Sequence, residues 1–263
     1  MSNNLETTDV LESLTTDDKF PEIPRQLDAM VTLQRGLINP VTGEWEQTAE
    51  VRELTGYDEE RIASLENRKG LTYIEYFTEV LRLGVISIGN IEFKDRLNEL
   101  TIGDRNILFL AIVRTTYGRV RTFERTCTEC KEVNKVSIDL YDDFPLQTPD
   151  FDPIGTIKVT LKDGTIHELR PPTAEDNIAI GKKDLNGPAQ TSTMIARCSL
   201  WRHNPPVNAD EWAKSLSMYD RNNLVRALTD LKLGPKLEEV SATCAHCGAD
   251  MPVLIDWIFL ILG

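Results

Sequence analysis

Two short cysteine stretches, Cys127-Thr-Glu-Cys130 and Cys244-Ala-His-Cys247, constrain this chain more than any other feature. Each lies in a turn between runs of strand character, 120–126 and 133–140 for the first, 240–243 and 251–255 for the second. Such a knuckle supplies two thiolates, whereas a structural zinc ion takes four protein ligands in a tetrahedron. The two knuckles are therefore expected to share one Zn2+, held by Cys127, Cys130, Cys244 and Cys247. Four cysteines leave no open position for water or substrate, so the expected zinc is structural. The rival reading, a redox dithiol, needs a nucleophilic cysteine at a helix N-terminus, and both pairs sit between strands. His246, inside the second knuckle, reads as a solvated spacer, and Cys198, on an apolar helical face, as core.

The same cysteines mark an internal repeat. Cys127 and Cys130 recur as Cys244 and Cys247, and Ile138-Asp139 as Ile255-Asp256, all 117 positions on. Asp104-Arg105-Asn106 returns as Asp220-Arg221-Asn222 and Gly118 as Gly234, both 116 on. Arg52, Thr55 and Asp58 return as Arg170, Thr173 and Asp176, 118 on. A nearly constant offset points to an α+β fold made by tandem duplication, each half a hairpin plus helices ending in a knuckle, joined at one shared metal. The expected organisation is a flexible acidic arm over 1–25, a first unit over 26–143 and a second over 144–263, each of ordinary domain size.

Helix and turn signals fill in both units. A hairpin is expected between Leu33 and Arg52, and a second over 156–161 and 165–169, turning at Asp163-Gly164. Thr55 and Asp58 cap a helix over 57–66, with a break at 67–70; Thr173 and Asp176 cap its counterpart. Ile74, Phe77, Val80 and Leu81 share a helical face over 71–83, ended by Gly84. Val85 to Phe93 reads as extended. The run after Thr101-Ile-Gly-Asp104 is apolar nearly all round, a buried spine over 107–116 stopped at Gly118. Its counterpart begins at Ser217, runs to Leu233 and stops at Gly234. Thr191 to Trp201 reads as another helix, with Met194, Ile195, Cys198 and Trp201 on one face, and Asn208 and Asp210 cap a short one around Trp212.

With 29 Lys plus Arg against 42 Asp plus Glu, the formal charge is −13, which repels a phosphate backbone and favours protein partners over nucleic acid. The longest apolar run, Val253 to Leu262, is too short to span a bilayer, so no membrane span is expected and the protein is read as soluble. Two C-x-x-C pairs without a secretory leader suit a reducing compartment.

The chain carries no glycine-rich phosphate loop, H-E-x-x-H or G-x-S-x-G, and no nucleophile is placed by sequence beside His167 or His203. No enzyme is expected. Asp104 and Asp220 imitate a catalytic dyad but read as helix-start carboxylates. Arg114, Arg119, Arg121 and Arg125 read as a solvated or ion-paired face. The apolar Trp257–Leu262 tail is either core or a hook for a neighbour.

Read together, Thr101-Ile-Gly-Asp104-Arg105, the apolar helix, Thr116-Tyr117-Gly118, Cys127-x-x-Cys130, Leu169-Arg170-Pro171-Pro172-Thr173 and the second C-x-x-C resemble the baseplate hub protein family of T4-like contractile-tailed bacteriophages and related contractile injection systems. The resemblance runs through roughly residues 50 to 260. It implies a non-catalytic structural protein, a zinc-stabilised adaptor among baseplate and hub proteins, made in the host cytoplasm and placed in the virion tail baseplate in several copies around the tail axis. Alternatives are an assembly chaperone absent from the mature virion and a zinc-ribbon nucleic-acid-binding module.

Overall fold

The computed structural model describes residues 29–66, 72–181, 186–201, 205–236, 240–253 and 260–261. The acidic arm, the break at 67–70, His203 and most of the apolar tail (254–259 and 262–263) lie outside them. Over the described residues the fold is mixed, with seven α-helices and four small antiparallel sheets.

The chain opens on the hairpin β1 (Met30–Ile38) and β2 (Trp45–Val51). Helices α1 (Gly56–Glu66) and α2 (Tyr73–Gly84) follow, and β3 (Val85–Ile88) returns to pair with β2. After a 3-10 turn come α3 (Ile102–Tyr117) and the first knuckle hairpin, β4 (Val120–Thr126) and β5 (Val133–Asp139). The C-terminal half has a hairpin of β6 (Ile157–Thr160) and β7 (Ile166–Leu169), then α4 (Ala174–Gly181) and α5 (Gly187–Cys198). Strand β8 (Ser199–Leu200) pairs with β7, and α6 (Ala209–Ser215) and α7 (Met218–Thr229) lead to the second knuckle hairpin, β9 (Val240–Thr243) and β10 (Asp250–Val253). The sheet orders β1-β2-β3 and β6-β7-β8 match.

The matching elements are fixed by matching bonds. The Arg52 guanidinium donates twice to the Asp58 carboxylate, at 2.8 and 2.9 Å, and that carboxylate also accepts from the Thr55 amide and hydroxyl. Arg170, Asp176 and Thr173 repeat the arrangement. The Arg52 amide donates to the Gly84 carbonyl at the end of α2, and the Arg170 amide to the Cys198 carbonyl at the end of α5, both at 2.8 Å. Thr101 and Ser217 are hydroxyl N-caps of α3 and α7, each accepting from the amide of an aspartate three residues on. Arg105 reaches back to the Ile74 carbonyl and Thr78 hydroxyl of α2; Arg221 reaches the Pro188 carbonyl and Ser192 hydroxyl of α5.

Asp104 and Asp220 are helix-start carboxylates, as the sequence suggested, but each also grips its own half's hairpin. Asp104 accepts the amides of Gln34, Arg35 and Gly36 where β1 shifts register against β2. Gly36, at φ +74°, is required there, since a Cβ would lie 2.1 Å from the Glu46 carbonyl oxygen. Asp220 accepts the Lys162 amide at 2.7 Å, in the β6–β7 turn. The halves approach closely: Thr101 bridges Thr173, the Gly234 amide donates to the Gln34 side-chain Oε1, and a Cβ on Gly234 would sit 2.4 Å from Gly103 Cα.

Several boundaries differ from the sequence reading. Helix α5 starts four residues earlier than Thr191, capped by Asn186 with Pro188 in its first turn, and ends at Cys198 because Ser199 and Leu200 pair with β7; Trp201 is therefore off the helix. Helix α7 stops at Thr229, so the two spines are 12 and 16 residues long, and Gly234 serves the contact with Gly103 instead of a helix stop. Gly84 is the last residue of α2, as expected, and it makes room for Ile112, whose side chain would be 2.5 Å from a Cβ there. The extended stretch after α2 is a strand only to Ile88. The spine reading of α3 holds, with buried side chains on every face.

Candidate metal centre

Both knuckles are built by the same turn. The Cys127 amide donates to the Glu132 carbonyl and the Lys131 amide to the Cys127 carbonyl; Cys244, Ala249 and Gly248 repeat both bonds. The residue after each second cysteine has positive φ, +64° at Lys131 and +73° at Gly248. Backbone amides left inside such a turn point at the sulfurs: Cys244 accepts from His246 and Cys247, Cys130 from Glu132, and Cys247 from Ala249.

The four sulfurs come together across the two hairpins. All lie within 4.8 Å of one another, with Cys127 Sγ 3.7 Å from Cys247 Sγ and Cys130 Sγ 3.6 Å from Cys244 Sγ. All four thiols are free, so no disulfide holds them. A tetrahedron with Zn–S bonds of about 2.3 Å has edges of about 3.8 Å, which these separations fit. Cys127 and Cys244 are buried, Cys130 is half-buried and Cys247 exposed, and His246 faces solvent outside the set.

The electrostatics divide the thiols. Burial pushes the Cys244 thiol up, but the Cys247 and His246 amides, the Asn134 carboxamide and the Cys130 thiol outweigh it and bring it down to about 6. At Cys130 the Glu132 amide pulls down, yet burial and the three neighbouring thiols together drive it up to about 12. A cation bound among them would supply the charge that lets all four ionise together.

The second knuckle does not pack where the repeat would put it. Cys244 and Met251 belong to the apolar core of the N-terminal half, with Cys127, Val136 and Ile138 of the first knuckle, whereas the core of the C-terminal half ends with Leu224 and Leu228. The C-terminal hairpin therefore packs on the N-terminal half, with its two cysteines beside those of the first knuckle. Leu260 and Ile261 are buried in that same core, and the Tyr117 hydroxyl donates to the Ile261 carbonyl. For those two tail residues, core is the right reading.

The other candidates resolve structurally. Asp104 and Asp220 serve separate hairpins and form no dyad; burial pushes the Asp104 pKa up against the pull of its backbone donors. Cys198 is fully buried, and burial raises its thiol to about 12. Among the arginines, Arg119 pairs with Asp139 and Asp142, both at 2.6 Å, and Arg114 and Arg121 lie over the rings of Tyr141 and Tyr117. A contact without any signal in the sequence is His167 Nε2 at 2.9 Å from the Ser199 hydroxyl, its ring packed against the mutually touching Trp201 and Trp212 rings. Ser199 donates its proton to the Ile195 carbonyl at 2.7 Å, so the imidazole N–H is the donor to Ser199 and the hydroxyl is not activated.

Residues 40–199 match the family model of the T4 bacteriophage base plate protein. The chain belongs to that family. The matched stretch runs from β2 through α5 to the first residue of β8 and includes the first knuckle, but ends before the second. Membership makes this a structural protein of the phage baseplate, located in the virion tail. No helix of the described residues is long and apolar enough to cross a membrane. Neither curated proteins nor solved structures give a match.

Proposed function

We propose that this baseplate protein is a zinc-stabilised adaptor of the baseplate hub, non-catalytic, bound to other baseplate and hub proteins and present in several copies around the tail axis. The observation that carries the metal reading is the meeting of Cys127, Cys130, Cys244 and Cys247 at tetrahedral spacing, although 114 residues separate Cys130 from Cys244. A four-thiolate set selects zinc over harder cations and closes its coordination shell, which suits a structural ion. The unactivated Ser199 hydroxyl supports a non-catalytic role. The acidic charge of −13 favours protein neighbours over nucleic acid.

The adaptor is a tandem duplication. Support comes from the recurring bonds of Arg52 and Arg170, Asp104 and Asp220, and Arg105 and Arg221, and from the repeated knuckle turn. Superposing 50–118 on 168–234 tests it: Thr55 should fall on Thr173 and Asp104 on Asp220, and failure of those helix starts to align would reject it. Mass spectrometry of purified virions and elemental analysis of the purified protein test the adaptor. We expect stoichiometric copies in the particle and one zinc per chain; absence from virions would turn the role into that of an assembly factor, and absence of zinc would remove the metal.

A further inference from the structure

Where the two knuckles meet, one side chain breaks their likeness. Counted from the turn, Asn134 in β5 occupies the place that Met251 takes in β10, and both are buried at 5 % exposure. Met251 packs in the apolar core. Asn134 instead spends its carboxamide across the seam: Oδ1 accepts the Ala245 amide at 2.9 Å, and Nδ2 donates to the Glu132 carbonyl at 3.0 Å and to Cys244 Sγ at 3.4 Å. The Ala245 N–H, which can only donate, fixes which terminal atom is the oxygen.

We propose that Asn134 is the positioning residue of the four-cysteine site: its buried carboxamide sets the second knuckle in register on the first and holds the Cys244 sulfur in place for the ion. The proposal rests on reading the cluster as a zinc site. The physical reason lies in the geometry. One rigid amide engages a backbone amide and a sulfur of the partner knuckle at once, so a single side chain, anchored in its own hairpin by the Glu132 carbonyl, fixes both position and rotation of the incoming turn. Ligands held in place before the ion arrives lose less freedom on binding it, and partners of this kind outside the ligand set are worth ten- to a hundredfold in metal affinity. A hydrogen bond to a metal-bound thiolate also withdraws electron density from the sulfur, which shifts the sulfur-to-metal charge-transfer band of a cobalt-substituted site.

The test uses the full-length chain and three substitutions. Asn134→Met copies the residue at the equivalent place in the other knuckle and removes both cross-seam bonds while keeping apolar volume. Asn134→Asp is isosteric, keeps the acceptor for Ala245 and sets a carboxylate against the Cys244 thiolate. Val136→Ala weakens the same strand and leaves the hydrogen bond to the Cys244 sulfur in place. Zinc affinity is read by competition with a chromophoric chelator, and Co2+ provides the spectrum. Expected are one zinc per chain throughout, affinity about ten- to a hundredfold lower in Asn134→Met and lower still in Asn134→Asp, a shifted cobalt band in both, and an unshifted band in Val136→Ala. Wild-type affinity and spectrum in Asn134→Met, or the same band shift in Val136→Ala, overturn the proposal while leaving the zinc site standing. A wild-type protein that takes up neither zinc nor cobalt overturns both.

Discussion

The two halves of the molecule share a hydrogen-bond layout and divide their apolar mass unequally. In the N-terminal half α3 is buried all round, Phe109 stacks on Phe77 of α2 with centroids 4.9 Å apart, and the second knuckle and Leu260–Ile261 add to the same core. In the C-terminal half α7 buries only Asp220, Leu224 and Leu228, and α4, α5 and α7 border a groove of about 530 Å³ lined by Ile180, Thr191, Met194 and Val225. The polar clamps differ in the opposite sense. Asp58 has one arginine, Arg52, which is 38 % exposed, whereas Asp176 is fully buried between Arg170 and Arg197. Capping aspartates and arginines thus fix where helices start and which hairpin they hold, while side-chain volume decides how firmly each half stands. The half with the thin core leans on buried charge.

The sharpest way to break this comparison is to remove the metal. Chelation of zinc, or Cys127→Ser, should free the C-terminal hairpin from the N-terminal core and lower Tm on the order of 10 °C, while Cys198→Ser keeps the metal; calorimetry with and without chelator reads both. An unchanged Tm would mean the hairpin holds without the ion. Next in size, Phe109→Ala should cost about 3–5 kcal/mol in denaturant unfolding, whereas Val225→Ala, 116 positions on beside the groove, should cost under about 1 kcal/mol. Equal losses would mean the two cores are equally tight.

Asp176→Asn should cost about 3 kcal/mol, because it strips the partner from two arginines at a buried site, and Asp58→Asn no more than about 1 kcal/mol. Both carboxyls sit at about 2. For Asp58 the bond to Arg52 is the main cause; for Asp176 burial pushes upward, and the bonds to Arg170, Thr173 and Arg197 outweigh it. Their folded values lie below the ordinary 3.8, so the stability they lend is present above that value and is lost as pH falls through about 2. Acid titration of the wild type against Asp176→Asn should show the variant less sensitive over that window. Below the losses expected at the metal, Phe109 and Asp176 comes the seam: Gly234→Ala, with φ +85° and a Cβ 2.4 Å from Gly103 Cα, should cost about 1–2 kcal/mol by denaturant titration and loosen the halves without loss of zinc.

Much of this was legible in the residues because local chemistry wrote it. Hydroxyl caps at Thr101 and Ser217, the knuckle turns and the hairpin turn at Gly164 are decided within a few positions, and the structure has each of them. The four-sulfur cluster was legible too, since coordination arithmetic demanded a partner for each pair. Tertiary choices were not. Nothing in the pattern at 191–201 tells that Ser199 and Leu200 will leave the helix to complete a sheet, or that Gly84 and Gly234 serve close approach. The bidentate Arg52–Asp58 and Arg170–Asp176 pairs left a trace, one spacing of six residues with a threonine between, but only the fold reveals it as a clamp. The sequence repeat also concealed where the second knuckle packs, because the identity of its cysteines says nothing of which core receives its Met251.

The location of that knuckle bears on the order of events during synthesis. The N-terminal half has its helices and sheet by Asp139, yet its core is completed by Met251, Leu260 and Ile261, with Tyr117 bonded to a carbonyl 144 residues further along. On the ribosome this half waits, with an apolar face open, until the second knuckle and Leu260–Ile261 have been made, and its closure is a long-range event of the slow kind. A polypeptide cleaved ahead of the second knuckle lacks Met251, Leu260 and Ile261, and the apolar face that they cover is left open to water.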